Sequence, residues 1–154
     1  MERAAIGIRV HSGWGALVVV SGRRPSVEVL DRRRVVITNP NSAGANQPYH
    51  HAQKQTLPDA ERSLADCAIT SERLALEAIG DIVIWKGAER LQLQVTGIPE
   101  RELDGRAEAV FGRRTIQLRR EIAVLGGSLG PPWTTDQKTA ALAALLVLAS
   151  EQDP

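Results

Sequence analysis

The side chains whose type and spacing bear on chemistry are three histidines, one cysteine, a carboxylate at a helix start and a cluster of arginines. His50 and His51 follow the sole tyrosine, Tyr49, in a polar stretch from Asn39 to Gln55, and His11 lies at a glycine turn that could approach them. Imidazoles there would suit a metal, phosphate or substrate contact. Adjacent histidines in extended chain point opposite ways, and no other Cys, His or carboxylate group has ligand spacing. An exposed loop is therefore the expectation, and no metal is assigned. Cys67 falls on the apolar stripe of a helical pattern, where a thiol is buried and structural; a nucleophilic thiol needs an exposed, electropositive setting. Asp136 follows Thr134 and Thr135 at the head of an alanine-rich segment. A carboxylate there stabilises the helix dipole or takes part in metal chemistry. Arg113, Arg114, Arg119 and Arg120, with Arg101 and Arg106 upstream, form a basic cluster suited to phosphate contacts. The interleaved Glu100, Glu102, Glu108 and Glu121 can pair with them locally, which makes a solvated helix face the simpler expectation.

The elements that must position these groups are legible in the hydrophobic pattern. Ala5, Ile6, Ile8 and Val10, then Leu17 to Val20, are short apolar runs separated by Ser12-Gly13-Trp14-Gly15. Such runs predict a hairpin of strands 4–10 and 15–21, with buried strands central in a sheet. Ser21 to Pro25 turns into a third strand over 26–38, in which Arg32, Arg33 and Arg34 mark a bend or an exposed edge. Thr56, Pro58 and Asp59 are helix-start signals, and apolar residues at helical spacing predict a helix over 57–79 that ends at Gly80. Short strands are expected near 82–85 and 91–97. Pro99 opens a further helix ending at Gly112; Thr115 caps the next, ending at Gly126-Gly127. Thr134 or Thr135 caps the last, which the alanine-rich sequence suits to close packing.

Composition bounds the class. The 154 residues, 43% hydrophobic and 24% charged, suit one domain over 1–154 with a sizeable core. A formal net charge of +1 gives no global pull toward nucleic acid or membrane, so any electrostatic partner must be read by a local patch. A single cysteine forbids an internal disulfide. Together with a start that lacks an apolar leader and cleavage site, it makes the cytoplasm the expected location. The longest apolar run, Ala140 to Ala149, is too short to span a membrane.

Ile6-Gly7-Ile8-Arg9, followed by His11-Ser12-Gly13-Trp14-Gly15-Ala16-Leu17-Val18-Val19, resembles the opening hairpin of the ribonuclease H-like superfamily, in particular the RuvC-type Holliday junction resolvases. Those enzymes carry I-G-I-D on the first strand and T-G-W/Y-G-V-V on the second. They end in D-x-x-D-A-L-A-x-A, which Asp136 to Ala144 resembles, with Thr139 in place of the second aspartate. The phrase LGPPWTTDQKTAALAAL is also similar to the C-terminus of a group of bacterial proteins of unknown function. The resemblance implies an α/β, ribonuclease H-like fold. Its three-stranded antiparallel N-terminal meander would be followed by helices. The segment near 82–97 is too short for a strand–helix–strand crossover, so it is either an antiparallel hairpin, which spacing alone supports, or the remnant of a truncated middle, which the resemblance implies.

It also implies a degenerate active site. The family's first metal-binding aspartate is Arg9 here, and an arginine repels the Mg²⁺ or Mn²⁺ that the carboxylate would hold. Only Asp136 carries over. The expectation is a non-catalytic domain that binds nucleic acid or a protein partner, with Arg9 able to hold a phosphate in the ion's place and no cofactor. An active metal-dependent nuclease using Asp136 with Glu28 or Asp31 is the alternative. A protein-interaction or homo-oligomeric scaffold, paired through a sheet edge left open by truncation, is the third. An enzyme built on His11, His50 and His51 is least favoured.

Overall fold

A computed structural model describes residues 3–22, 27–85 and 96–150. It is α/β: a three-stranded antiparallel sheet followed by helices. Strands β1 (Ala4–His11), β2 (Trp14–Ser21) and β3 (Glu28–Val36) pair in the order β1-β2-β3, so β2 is central. Helices follow as α1 (Pro48–Ala52), α2 (Leu57–Trp85), α3 (Glu100–Phe111), a 3₁₀ turn at Gly112–Arg114, α4 (Thr115–Leu129) and α5 (Thr135–Ser150). No helix among the described residues is long and apolar enough to cross a membrane.

Contacts divide the chain into two units: residues 1–9, 16–33 and 94–154 in the first, residues 10–15 and 34–93 in the second. The core of the first unit joins Ala5, Val18 and Val20 of the sheet to α3, α4 and α5. Helix α5 is buried on nearly every side, from Gln137 through Leu148. That pattern belongs to a helix covered all round, and its alanines let neighbours come close. Gly7 of β1 shows how close. A Cβ there would lie 2.8 Å from the Ala140 carbonyl carbon and 3.1 Å from the Ala144 nitrogen. Leu142 is among the largest fully enclosed side chains, at 2% exposure. Leu142→Ala is expected to lower stability by about 2–5 kcal/mol, read as a fall in the urea midpoint at unchanged m-value.

In the second unit the β1–β2 turn uses Gly13 at φ +88°, a left-handed conformation that a side chain would strain, with Thr38 Oγ1 and Asn46 Oδ1 close against it. The Ile37 N–H donates to the Gly13 carbonyl at 3.0 Å. Helix α1 packs on α2.

Several expectations are corrected. The helix predicted to end at Gly80 continues to Trp85, and the strand expected at 82–85 is its last turn. Gly80 takes no positive φ and costs an established helix only about 1 kcal/mol, less than renucleation elsewhere. The strand expected near 91–97 lies mostly outside the described residues, and its last two residues have no regular structure. Of the bend or exposed edge expected at Arg32 to Arg34, the bend is absent, since β3 runs unbroken to Val36, and β3 lies at the edge of the described sheet. The Asn39–Gln55 loop contains α1, with Pro48 pre-set for its first turn. Pro99 caps α3 from outside rather than opening it. Helix α4 passes through Gly126-Gly127 and ends at Gly130 with φ +72°. The reason is packing: a Cβ at Gly126 would lie 2.7 Å from the Trp133 ring, whose Nε1 donates to the Ile122 carbonyl at 2.7 Å. Cys67 is half-buried rather than core, because no residue of α2 from Leu57 to Asp81 is fully buried.

Candidate functional site

Strand alternation puts Ala5, Gly7 and Arg9 on one face of β1. Gly7 brings that face onto α5, so Arg9, one repeat further along, reaches the start of the same helix. Its guanidinium donates to Asp136 Oδ1 at 2.5 Å and to Glu100 Oε1 at 2.7 Å. Three chain segments distant in sequence thus converge: β1, the first residue of α3 and the first turn of α5. Thr134 and Gln137 hold the start of α5 in a reciprocal cap. The Thr134 N–H donates to Gln137 Oε1 at 2.9 Å, and the Gln137 N–H donates to Thr134 Oγ1 at 3.3 Å.

The electrostatics are those of a closed site. Two carboxylates at helix N-termini meet the partial positive charge of the helix ends, and Arg9 supplies a full one. The Arg9 and Asp136 side chains keep only 22% and 23% of their exposure, whereas Glu100 keeps 67%. Arg9–Asp136 is therefore the pair shielded from water, where charge-assisted bonds count most, and Arg9–Glu100 is a rim contact. Arg9 Nε is buried with no hydrogen-bond partner among the described residues. Arg9 cannot ligate a cation, and its guanidinium takes up Asp136 Oδ1.

The remaining residues with assigned roles do not join this cluster. Asp31 pairs with Arg33, and Glu28 is exposed. Arg32 donates to the Leu129 carbonyl at 2.6 Å and to the Pro132 carbonyl, so it closes the C-terminal end of α4 and lies 5.9 Å from the Trp133 ring. Arg119 pairs with Asp104 and Arg106 with Glu102. Arg113, Arg114 and Arg120 are exposed and form no ion pair among the described residues. His11 stacks on Trp14 with ring centroids 4.3 Å apart, and Arg34 lies 4.1 Å from the Trp14 ring. His50 is exposed on α1 and His51 half-buried. No group of three or more His, Cys, Asp or Glu that could hold a metal occurs among the described residues.

Sequence reasoning placed Arg9 and Asp136 but missed Glu100, which it counted only among the acids near the arginine cluster. Its signal was its place at the start of α3. No family model, curated protein or solved structure matches the chain.

Proposed function

We propose that this chain is a non-catalytic ribonuclease H-like domain of the bacterial cytoplasm that binds nucleic acid. The observation that carries this reading is the Arg9–Asp136 pair. Where the resolvase-like pattern has a metal ligand on the first strand, this chain has a cation bonded to the remaining acid of the pattern, Asp136. Two-metal hydrolysis needs carboxylates converging on ions. Here a guanidinium stands beside Asp136 instead of an ion, and Asp31, one acid of the nuclease alternative, pairs with Arg33. Binding falls to Arg113, Arg114 and Arg120, whose exposed side chains at the 3₁₀ turn and on α4, without an ion pair among the described residues, suit backbone phosphates.

The test is fluorescence anisotropy with labelled single-stranded, duplex and branched DNA and RNA, with gel analysis of the recovered probe. Intact probe and binding that weakens steeply with salt are expected. Replacing Arg113, Arg114 and Arg120 together with alanine should weaken binding at least about tenfold and lower the salt slope by about 3. Absence of binding at low salt overturns the reading. Cleavage that needs Mg²⁺ or Mn²⁺ and is lost in Asp136→Ala establishes the nuclease instead.

A second reading, a self-associating scaffold, draws on α2, which leaves Leu57, Ile69 and Leu76 exposed at 72%, 66% and 62%. Light scattering separates the two: a concentration-dependent dimer abolished by Ile69→Glu supports the scaffold, and a monomer at high concentration removes it.

A further inference from the structure

Two helix surfaces of the chain match in apolar spacing and oppose each other in charge. On α2, Ile69, Glu72 and Leu76 are exposed and stand at i, i+3 and i+7, on one side of the helix. On α4, Ile116, Arg120 and Val124 are exposed at i, i+4 and i+8, with Ile116 at 64% and Val124 at 74%. A rise of about 1.5 Å per residue separates the apolar pair of α2 by about 10 Å along the axis and that of α4 by about 12 Å. Each surface therefore presents two large apolar side chains with one charge between them, negative on α2 and positive on α4.

The charge around them follows the same division. Helix α2 carries six acids against two arginines, and both arginines are paired within it, Arg62 with Asp59 and Arg73 with Glu77. The 3₁₀ turn and α4 carry four arginines against one acid. Asp66, Glu72, Arg113 and Arg120 are exposed and have no ion pair among the described residues. Asp66 precedes Ile69 by three residues, as Arg113 precedes Ile116. Laid parallel, the two surfaces set Asp66 by Arg113, Ile69 by Ile116, Glu72 by Arg120 and Leu76 by Val124. Two copies of α2 laid together would oppose a net negative charge to itself, which disfavours that pairing.

We infer that α2 of one copy of this chain docks on α4 of a second copy, a head-to-tail contact between unlike surfaces. The inference rests on the self-association reading above and specifies its interface; it does not need the nucleic-acid reading. Such a contact leaves one surface of each kind unused at the ends of an assembly, so it builds open chains or rings rather than a closed pair.

Light scattering on the full chain tests it. Wild type is expected to associate as concentration rises, through the dimer to larger species. Ile69→Glu removes the α2 surface and Val124→Glu the α4 surface. Each variant alone is expected to stay a monomer. Their equimolar mixture is expected to form a one-to-one dimer that grows no further, because it holds only one intact surface of each kind. Glu72→Arg and Arg120→Glu are each expected to raise the concentration of half-association about tenfold, and together in one chain to restore it. All four side chains are exposed, so the variants should keep the wild-type circular dichroism. A wild-type monomer at high concentration overturns the inference and the scaffold reading together. Association that Ile69→Glu abolishes and Val124→Glu leaves intact overturns the inference alone, because α2 would then meet α2. A mixture that stays monomeric while wild type associates overturns it as well.

Discussion

Gly7→Val is expected to unfold the first unit or to lower its stability by well over about 3 kcal/mol, beyond the usual range for overpacking. The ordinary case is softened by side chains that rotate away. That relief does not reach the three atoms nearest the added Cβ, which are all backbone: the Ala140 carbonyl, which it would overlap, and the Ala144 nitrogen. Relief requires α5 to move as a body, and α5 contributes Ala140, Ala141, Leu142, Ala144, Leu145, Leu146 and Leu148 to the core. Gly7→Ala brings the same overlap with less bulk beyond it, so it should fall between wild type and valine. Urea titration of the three proteins checks the order. A Gly7→Ala protein as stable as wild type would mean that β1 does not approach α5 as described.

Arg9→Asp is the second large effect, and it bears on function. The substitution exchanges two ion pairs for a third carboxylate beside Asp136 and Glu100. Removing one partner of a fully buried pair costs about 3–5 kcal/mol; Arg9–Asp136 is part-buried and Glu100 largely exposed, so a smaller loss is expected. Repulsion among the acids adds to it, so Arg9→Leu, which removes the charge alone, should be the milder change. If the ribonuclease H-like reading holds, the aspartate variant also gains a response that wild type lacks. Millimolar Mn²⁺ should raise its denaturation midpoint, because an ion bound only by the folded state stabilises it. Equal stability of Arg9→Asp and wild type in chelator would show that the Arg9 pairs carry no weight. A midpoint indifferent to Mn²⁺ would count against the inherited metal geometry.

The two ends of the chain were the most legible parts. Alternating and continuous apolar runs around Gly13 specified the hairpin, and the structure places β2 centrally with both faces buried, as such runs require. The alanine and leucine content of 140–148 specified a closely packed last helix starting at Thr134 or Thr135, and the structure gives the cap to Thr134. The middle was less legible for a physical reason. Gly80 and Gly126 look like stops, yet a glycine ends a helix only where the chain gains by leaving it. At Gly126 the gain lay in staying, because the missing side chain makes room for Trp133. Cys67 and its neighbours fit an apolar stripe by spacing, but spacing does not say whether core lies beneath it. Beneath α2 lies a polar cavity.

The sequence by itself determined the α/β class, the hairpin and the last helix, because these follow from short apolar runs around glycine, from an alanine-rich composition and from backbone freedoms local to a few positions. It also put an arginine, Arg9, straight after Ile6-Gly7-Ile8 on the first strand. Only the tertiary structure decided where that arginine goes: to Asp136, 127 residues away, and to Glu100 at the start of another helix. It decided as well which arginines of the basic cluster are tied up in ion pairs: Arg106 with Glu102 and Arg119 with Asp104. Charge pairing is a property of segments brought together by packing, and no local pattern encodes which distant side chain will stand opposite.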